Sequence, residues 1–270
     1  KHPKFAVGDK VVGMGGWQEY SVVDATQPGA LRKVDTTHVP LSHYLGAVGM
    51  PGVTAWYGLV KIIEPQAGQT VVVSAATGAV GSAFAALAKA RGCRVVGIAG
   101  GPDKCQYATA ELGFDACIDY KLFNDAGSLS KAIAQACPKG VDGYFENVGG
   151  AVFDAVLPLF NAGARMTICG LIAHYGDDGS TDARAALMAR GDAIFKARGV
   201  KVGDLFVGDF VSGHHDQFLN EVAPLVASGQ LKYREDIRQG LETVPAAFAE
   251  MLRGDNFGKM LVQIAPDPTL

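Results

Sequence analysis

Residues 74–92 read SAATGAVGSAFAALAKARG and follow the valine run at 71–73. A valine-rich run of this kind is typical of a strand buried on both faces, and the alanine-rich part that follows has the composition of a helix. The junction between them holds small residues and almost no side chain that could do chemistry. Small residues at a strand-to-helix turn let the backbone approach a ligand, so we expect this turn to be a binding element.

Strands and helices alternate on both sides of this turn. The predicted strands are 71–74, 94–98, 116–118, 143–145 and 165–169, and the predicted helices between them are 79–91, 103–112, 128–137 and 151–161. Gly92 and Gly113 stand where a glycine commonly ends a helix. Buried strands that alternate with amphipathic helices indicate an α/β fold, a doubly wound parallel Rossmann sheet.

Composition excludes several classes of protein. The chain has 270 residues, a formal net charge of −3 and no basic block, so nothing favours nucleic acid or an anionic membrane as a partner. No apolar run approaches the roughly 20 residues that span a bilayer. The five cysteines (93, 105, 117, 137 and 169) form no C-x-x-C pair. We expect reduced thiols and a cytoplasmic location.

The turn aligns with the dinucleotide fingerprint G-x-G-x-x-G as Ala76-x-Gly78-x-x-Gly81. Its first small residue permits the tight turn, the second admits a pyrophosphate, and the third lets the helix pack closely on the strand. The phosphates would lie at the helix N-terminus, where free N–H groups and the helix dipole favour negative charge. The fingerprint therefore predicts a dinucleotide cofactor.

The end of the second strand indicates which dinucleotide is bound. An NAD site usually has an acidic residue about 20 residues after the turn, but here the strand runs into AGGPDK, residues 99–104, with glycines at that place. Lys104 is placed to meet a 2′-phosphate, which favours NADP. Two alternatives remain, because Lys104 could be a solvated residue of the next helix and Asp103 could bind a ribose.

Four stretches carry a family resemblance: GMPGVTAWYGL, SAATGAVGS, FENVGG and REDIRQGLETVPAAFAEMLRGDNFGKMLVQI. They resemble the zinc-independent medium-chain dehydrogenases/reductases, in the branch of prostaglandin reductase, leukotriene hydroxydehydrogenase and the alkenal double-bond reductases. The resemblance covers nearly the whole chain. It implies NADPH-dependent reduction of the carbon–carbon double bond of α,β-unsaturated ketones and aldehydes.

The resemblance also implies a domain plan. Residues 1–47 are expected to be the remnant of an incomplete GroES-like catalytic β-domain, residues 48–230 the NADP-binding Rossmann domain, and residues 231–270 a return to the catalytic domain. Short strands around Phe5, Val11 and Tyr20–Val23, with turns at Gly8 and Gly15, agree with such a remnant. We therefore expect the chain to be amino-terminally truncated relative to this family.

The matching motifs imply the site residues. Tyr175, at the end of CGLIAHY, is the expected catalytic residue, as the donor to the enolate or the source of the proton. The expected cofactor-binding residues fall on the motifs quoted above and on the looser match LFV, taken as a strand on the nicotinamide side: Met50, Thr54, Gly78, Ala79, Val80, Gly81, Lys104, Tyr120, Asn147, Cys169, Gly170, Leu171, Ile172, Leu205, Phe206, Val207 and Asn256. Asn147 and Asn256 match positions that hold the nicotinamide half, and Lys104 and Tyr120 match the 2′-phosphate and adenosine side.

Several of these residues have structural alternatives. Asn147 could cap the Gly149 turn, Tyr175 could be a pocket rim without a proton to give, and Tyr120 could merely end a strand. His214 and His215 are expected at a surface helix start rather than at a metal, and no zinc ligand set is evident.

Three functions remain open from the sequence. The favoured one is an enone or enal reductase that acts on small hydrophobic substrates as a homodimer. The alternatives are an oxidoreductase of the same superfamily acting on quinones or secondary alcohols, and a cofactor-binding chain left inactive by truncation.

Overall fold

A computed structural model describes residues 3–27, 29–177 and 182–269; the side chain of Ser212 is outside this description. The strands are β1 Val11–Gly13, β2 Leu31–Lys33, β3 Thr70–Ser74, β4 Arg94–Ala99, β5 Ala116–Asp119, β6 Val141–Glu146, β7 Phe160–Ile168, β8 Lys201–Gly203, β9 Glu235–Gln239 and β10 Lys259–Gln263. The helices are α1 Met50–Tyr57, α2 Ala79–Ala90, α3 Pro102–Ala110, α4 Ala126–Ala136, α5 Gly150–Val156, α6 Ala183–Arg198, α7 Val207–Ala227 and α8 Val244–Arg253.

Six parallel strands form the central sheet in the order β5-β4-β3-β6-β7-β8. The order reverses between β3 and β6, so the carboxyl ends of these two strands flank the crevice where such sheets bind ligands. The predicted doubly wound Rossmann sheet is confirmed.

Successive residues of the central strands pack into two different cores. Val71 and Val73 belong to a cluster with Phe84 of α2, whereas Val72 belongs to a second cluster with Ile133 of α4. Side chains alternate across a strand, so helices cover both faces of the sheet. This double burial explains the unbroken valine run, because neither face of β3 meets water.

Two smaller sheets accompany the central one. β1 and β2 pair antiparallel, and β9 and β10 pair parallel. Residues around Tyr20–Val23, predicted as strand, lie outside any strand; Tyr20 is 88% exposed. None of the helices in the described ranges combines the length and the apolarity required to cross a bilayer.

Three further predictions were wrong in detail. The predicted helix 151–161 ends with α5 at Val156, and β7 begins at Phe160 because that ring is buried beside β6. The segment 205–207 is not a strand, because Leu205 and Phe206 lie in a loop and Val207 is the first residue of α7. His214 and His215 lie inside α7, and His215 is 7% exposed. Burial and the nearby guanidinium of Arg32 lower the pKa of His215 to about 4.

Gly58 offers a test of the packing between α1 and the sheet. It begins a π-helical turn after α1, and a Cβ atom there would lie 2.3 Å from the fully buried ring of Phe145. We expect Gly58→Ala to lower the free energy of unfolding by about 1–3 kcal/mol through overpacking. In the control Gly213→Ala, within α7, the new Cβ meets nothing within 4 Å. The control should be neutral or stabilise by up to about 1 kcal/mol in chemical denaturation; equal losses would contradict this packing.

Candidate functional site

The turn between β3 and α2 has the geometry of a phosphate-binding loop. Ala75 adopts a left-handed conformation with φ of 51°, and the Gly78 N–H donates to the carbonyl of Ala75 over 2.9 Å. A Cβ on Gly81 would lie 2.5 Å from that same carbonyl oxygen. Gly81 therefore allows α2 to start directly against the end of β3, as the fingerprint requires.

The first turn of α2 presents free donors. Its first helical hydrogen bond runs from the Ser82 N–H to the Gly78 carbonyl over 3.0 Å. The N–H groups of Ala79, Val80 and Gly81 precede this bond, so they have no partner within the helix. Gly78, the residue before the helix, provides no side chain that could cap them. Donors and helix dipole together fit a pyrophosphate.

The loop after β4 is held by the carboxylate at the end of β5. Asp119, which is 8% exposed, accepts from the Gly101 N–H over 2.8 Å and from the Lys121 N–H over 3.0 Å. A Cβ on Gly100 would lie 2.9 Å from the Tyr120 ring and 3.0 Å from the Lys121 side chain. Tyr120 and Lys121 thus line the glycine turn, while Asp119 is engaged with the backbone.

We use the term groove for the crevice along the carboxyl ends of the sheet strands, from the glycine turn after β4, past the turn before α2, to the loops after β6 and β7. Lys104 is half-buried at the end of the groove that holds the glycine turn. Its ammonium donates to the carbonyl of Gly254 over 2.6 Å. Burial, and then the positive charge of Lys121, lower the pKa of Lys104. Two lysines and a tyrosine beside a glycine turn fit a 2′-phosphate, whose charge would offset this repulsion. Lys121 was not among the predicted residues.

The loop that carries Asn256 packs against α3. The Asn256 side chain donates to the carbonyl of Gly258 over 2.7 Å. Next to it, the ring of Phe257 meets the ring of Tyr107 edge-on at 5.2 Å between centroids. The structure therefore places Asn256 on the Lys104 side of the groove, and its predicted contact with the nicotinamide half stays a prediction.

A buried carboxylate organises the opposite side of the groove. Glu146, at the end of β6, is fully buried. It accepts hydrogen bonds from the Ser74 hydroxyl over 2.9 Å and the Gly149 N–H over 2.8 Å, and also from the Tyr144 hydroxyl and the Val148 N–H. Burial raises the pKa of Glu146, and the four hydrogen bonds oppose this rise. The carboxylate joins the end of β3 to the loop that follows β6.

Asn147 takes part in the same junction. Its backbone N–H donates to the Ser74 hydroxyl over 2.7 Å, and its side-chain amide donates to the Ser74 carbonyl over 2.8 Å. The side chain is thus held at the carboxyl end of β3, beside the phosphate-binding turn.

The loop after β7 is hydrogen-bonded to the loop after β6. The Cys169 N–H donates to the Glu146 carbonyl over 2.8 Å, and the Ile172 N–H donates to the Asn147 carbonyl over 3.2 Å. A Cβ on Gly149 would lie 3.3 Å from the side chain of Leu171. The structure therefore brings residues 169–172 to Asn147, as the predicted site requires.

Tyr175 ends this loop with its hydroxyl directed back toward Gly170. The tyrosine is 58% exposed, and a Cβ on Gly170 would lie 3.1 Å from the phenolic oxygen. The preceding His174 pairs with Asp177 over 2.8 Å. The tyrosine is thus largely exposed, and its hydroxyl lies beside Gly170 in the loop that is hydrogen-bonded to Glu146 and Asn147.

The other predicted residues lie apart from these contacts. The Thr54 hydroxyl donates to the Met50 carbonyl inside α1 over 2.7 Å, and the Met50 side chain is 57% exposed. Leu205 and Val207 pack against the core cluster that contains Phe84, whereas Phe206 is 67% exposed. Their roles in cofactor binding stay predictions.

Sequence reasoning missed Ser74, Tyr144 and Glu146. A signal was present, because an acidic residue within the apolar strand GYFE must find partners when it is buried. The most distant partner of Glu146, Ser74, lies 72 positions away in the chain, and no local pattern identifies it.

Comparison with known proteins shows what this arrangement is similar to. Residues 79–208 match a family model described as zinc-binding dehydrogenase. The NADPH-dependent curcumin reductase of Escherichia coli is 43% identical over 98% of this chain and 75% of its own length. The NADP(+)-dependent 2-alkenal reductase of Nicotiana tabacum is 39% identical over 97% of this chain and 73% of its own.

A solved structure is similar over the same span. CurA from Vibrio vulnificus in complex with NADPH superposes with a TM-score of 0.85 at 42% identity, over 98% of this chain and 76% of that one. Across the described ranges, no three His, Cys, Asp or Glu side chains are grouped as ligands of a metal ion.

The carboxylate of Glu146 can be tested by two substitutions. Glu146→Ala removes the acceptor of four buried donors, and we expect it to lower the free energy of unfolding by about 2–5 kcal/mol. Glu146→Gln keeps an oxygen for Ser74, Val148 and Gly149 and presents its amide to the Tyr144 hydroxyl, so its cost should be about 0.5–1.5 kcal/mol.

Chemical denaturation of both variants measures the difference. The control is Glu111→Gln, which removes an exposed ion pair with Lys232 and should change stability by less than about 1 kcal/mol. An alanine variant as stable as the control would show that Glu146 does not hold the junction.

Proposed function

The chain belongs to the medium-chain dehydrogenase/reductase family, in the branch of the curcumin and alkenal reductases, and we propose that it reduces the carbon–carbon double bond of α,β-unsaturated ketones and aldehydes. It is an NADP-dependent oxidoreductase. The relatives named above are described as NADPH- or NADP(+)-dependent reductases, and the similar solved structure is a complex with NADPH. The predicted family and cofactor are confirmed. The substrate class, the homodimer and the cytoplasmic location stay predictions.

The placement of Tyr175 carries the proposal. Its hydroxyl lies over Gly170, in the loop that is hydrogen-bonded to Glu146 and Asn147 at the carboxyl ends of the sheet. Cofactors of such sheets bind across these strand ends with the pyrophosphate at the first helix. A substrate at the nicotinamide end of the groove would then meet the Tyr175 hydroxyl.

Bound NADPH supplies a hydride, which in this proposal adds to the β-carbon of the enone. The carbonyl oxygen of the substrate then gathers negative charge as an enolate, and the Tyr175 hydroxyl donates a hydrogen bond to it or gives its proton to the α-carbon. The Asn147 amide and the backbone of residues 169–172 position the reacting half of the groove. The first turn of α2 binds the pyrophosphate, and Lys104 and Tyr120 bind the 2′-phosphate, with Lys121 beside them.

The role of Tyr175 predicts the behaviour of Tyr175→Phe. The change keeps the ring and removes the donor, so kcat for an unhindered enone should fall roughly 100-fold or more, while KM for NADPH stays nearly constant. Steady-state assays of NADPH consumption at saturating cofactor measure both constants. Tyr20→Phe, at a tyrosine that is 88% exposed, serves as the control and should leave both constants unchanged.

Three substrates are compared in such assays. The enone and the quinone are each supplied with NADPH, and the secondary alcohol is supplied with NADP⁺. Turnover of the enone alone supports the proposal, whereas preference for the quinone or the alcohol would support the second function named above. An unchanged kcat in Tyr175→Phe would assign the proton to water or to another group. NADPH binding without turnover of any substrate would support a cofactor-binding chain.

Lys104 should determine the preference for NADPH over NADH. A charge-assisted hydrogen bond contributes about 1.5–3 kcal/mol, so Lys104→Ala should weaken NADPH binding roughly 10- to 150-fold. NADH has no 2′-phosphate, so its affinity should be almost unchanged in Lys104→Ala. Tyr120→Phe should cost about 0.5–1.5 kcal/mol of NADPH affinity.

Fluorescence titration of both cofactors tests this prediction. Lys131→Ala, at an exposed lysine of α4, is the matched control and should bind both cofactors as the parent chain does. Equal loss of NADPH and NADH in Lys104→Ala would point to the bond with Gly254 as its role. Unchanged affinity for both cofactors in Lys104→Ala would show that the 2′-phosphate binds at another place.

A further inference from the structure

Two of the five cysteines lie side by side near the Lys104 end of the groove. Cys105 is in the first turn of α3 and Cys117 is in β5, and the Cys117 thiol donates to the Cys105 sulfur over 3.2 Å. Both residues are partly exposed, whereas Cys93 and Cys137 are buried. Both residues therefore retain some contact with solvent, and their sulfur atoms need only a short movement to join.

The environment distinguishes the two thiols chemically. The hydrogen bond from Cys117 lowers the pKa of the Cys105 thiol, and a backbone hydrogen bond with Ala99 acts in the same direction against the effect of burial. The bond to Cys105 and burial raise the pKa of Cys117. Because the thiolate is the reactive form, Cys105 is the first to react and Cys117 follows.

We propose that Cys105 and Cys117 form a redox-active dithiol, a modification site that a peroxide converts to an intramolecular disulfide. This inference goes beyond the reductase activity, since neither sulfur belongs to the proposed reaction. The two residues are 12 positions apart and belong to elements that pack together, α3 and β5.

The chemistry balances in two steps. The Cys105 thiolate attacks one oxygen of hydrogen peroxide, so that an S–O bond forms, the O–O bond breaks and the departing hydroxide becomes water by taking a proton. The Cys117 thiolate then attacks the sulfur of the sulfenic acid, the S–S bond forms, and a second water leaves. Two thiols lose two electrons in total, and one peroxide is reduced to two waters.

The disulfide would act on the neighbouring nucleotide groove. A disulfide bond is about 2.05 Å long, so the sulfur atoms must approach by roughly 1 Å, which draws the first turn of α3 toward β5. Lys104 is the residue next to Cys105, and Gly101, with φ of 101°, lies in the turn just before the helix. We expect the oxidised protein to bind NADPH about 3- to 10-fold more weakly.

Peptide mapping of the full chain tests the modification itself. After treatment with hydrogen peroxide and alkylation of free thiols, the Cys105 and Cys117 peptides should be linked, with a mass lower by two hydrogens, and dithiothreitol should separate them. Cys105→Ser should abolish the link, and Cys117→Ser should leave a sulfenic acid on Cys105 that dimedone traps. Cys169→Ser, at the other partly exposed cysteine, is the control and should still form the link.

Other results would overturn the proposal. These are unlinked peptides in the peroxide-treated parent chain, a link that joins other cysteines, or a link that persists in Cys105→Ser. The mapping of the parent chain decides the question even where a serine variant fails to fold. NADPH titration of the linked protein tests the effect on the groove: weaker binding that dithiothreitol restores supports it, and an unchanged Kd overturns it. Since the mapping needs no cofactor, its outcome is independent of the proposed enzyme activity.

Discussion

The loops after β6 and β7 depend on Glu146 for their position. A buried charge is costly unless hydrogen bonds compensate it, and here Ser74, Tyr144, Val148 and Gly149 all donate to it. These donors come from the end of β3, from β6 and from the loop after β6. The carboxylate therefore fixes these three segments relative to one another, and the backbone carbonyl of the same residue anchors the loop after β7.

Different interactions dominate at the two ends of the groove. At the Lys104 end the interaction is electrostatic, because the positive charge of the exposed Lys121 acts together with burial to lower the pKa of the half-buried Lys104. At the Tyr175 end the contribution is positional, because backbone hydrogen bonds hold the loop of residues 169–172 against Asn147. Lys104 also contacts Gly254, so the basic end is joined to the loop that carries Asn256.

The sequence predicted those parts of the fold that local physics controls. The valine run, the glycine turn and the helix-ending glycines are local signals, and β3, β4, β5 and α2 were found at or within a residue or so of their bounds. The start of β7 at Phe160 was missed, because it depends on pairing with β6 rather than on its own composition.

For the site, the motifs put Gly78 and Gly81 where β3 gives way to α2 and Asn147 after the strand that contains Phe145, which is where the structure has them; their contacts with the cofactor stay predictions. The supporting contacts were out of reach of sequence patterns, because they join residues far apart in the chain: Ser74 with Glu146, 72 positions apart, and Lys104 with Gly254, 150 positions apart. The burial of His215 was missed for the same reason, because its contact Arg32 lies in β2, 183 positions away in the chain.

The most direct test of the account follows the transferred hydride. The protein is supplied with NADPH deuterated at the transferred C4 position and with an unhindered enone, and the product is examined by NMR. The account predicts a saturated ketone with one deuterium at the former β-carbon and none at the carbonyl carbon. An allylic alcohol with deuterium on the carbonyl carbon would contradict it.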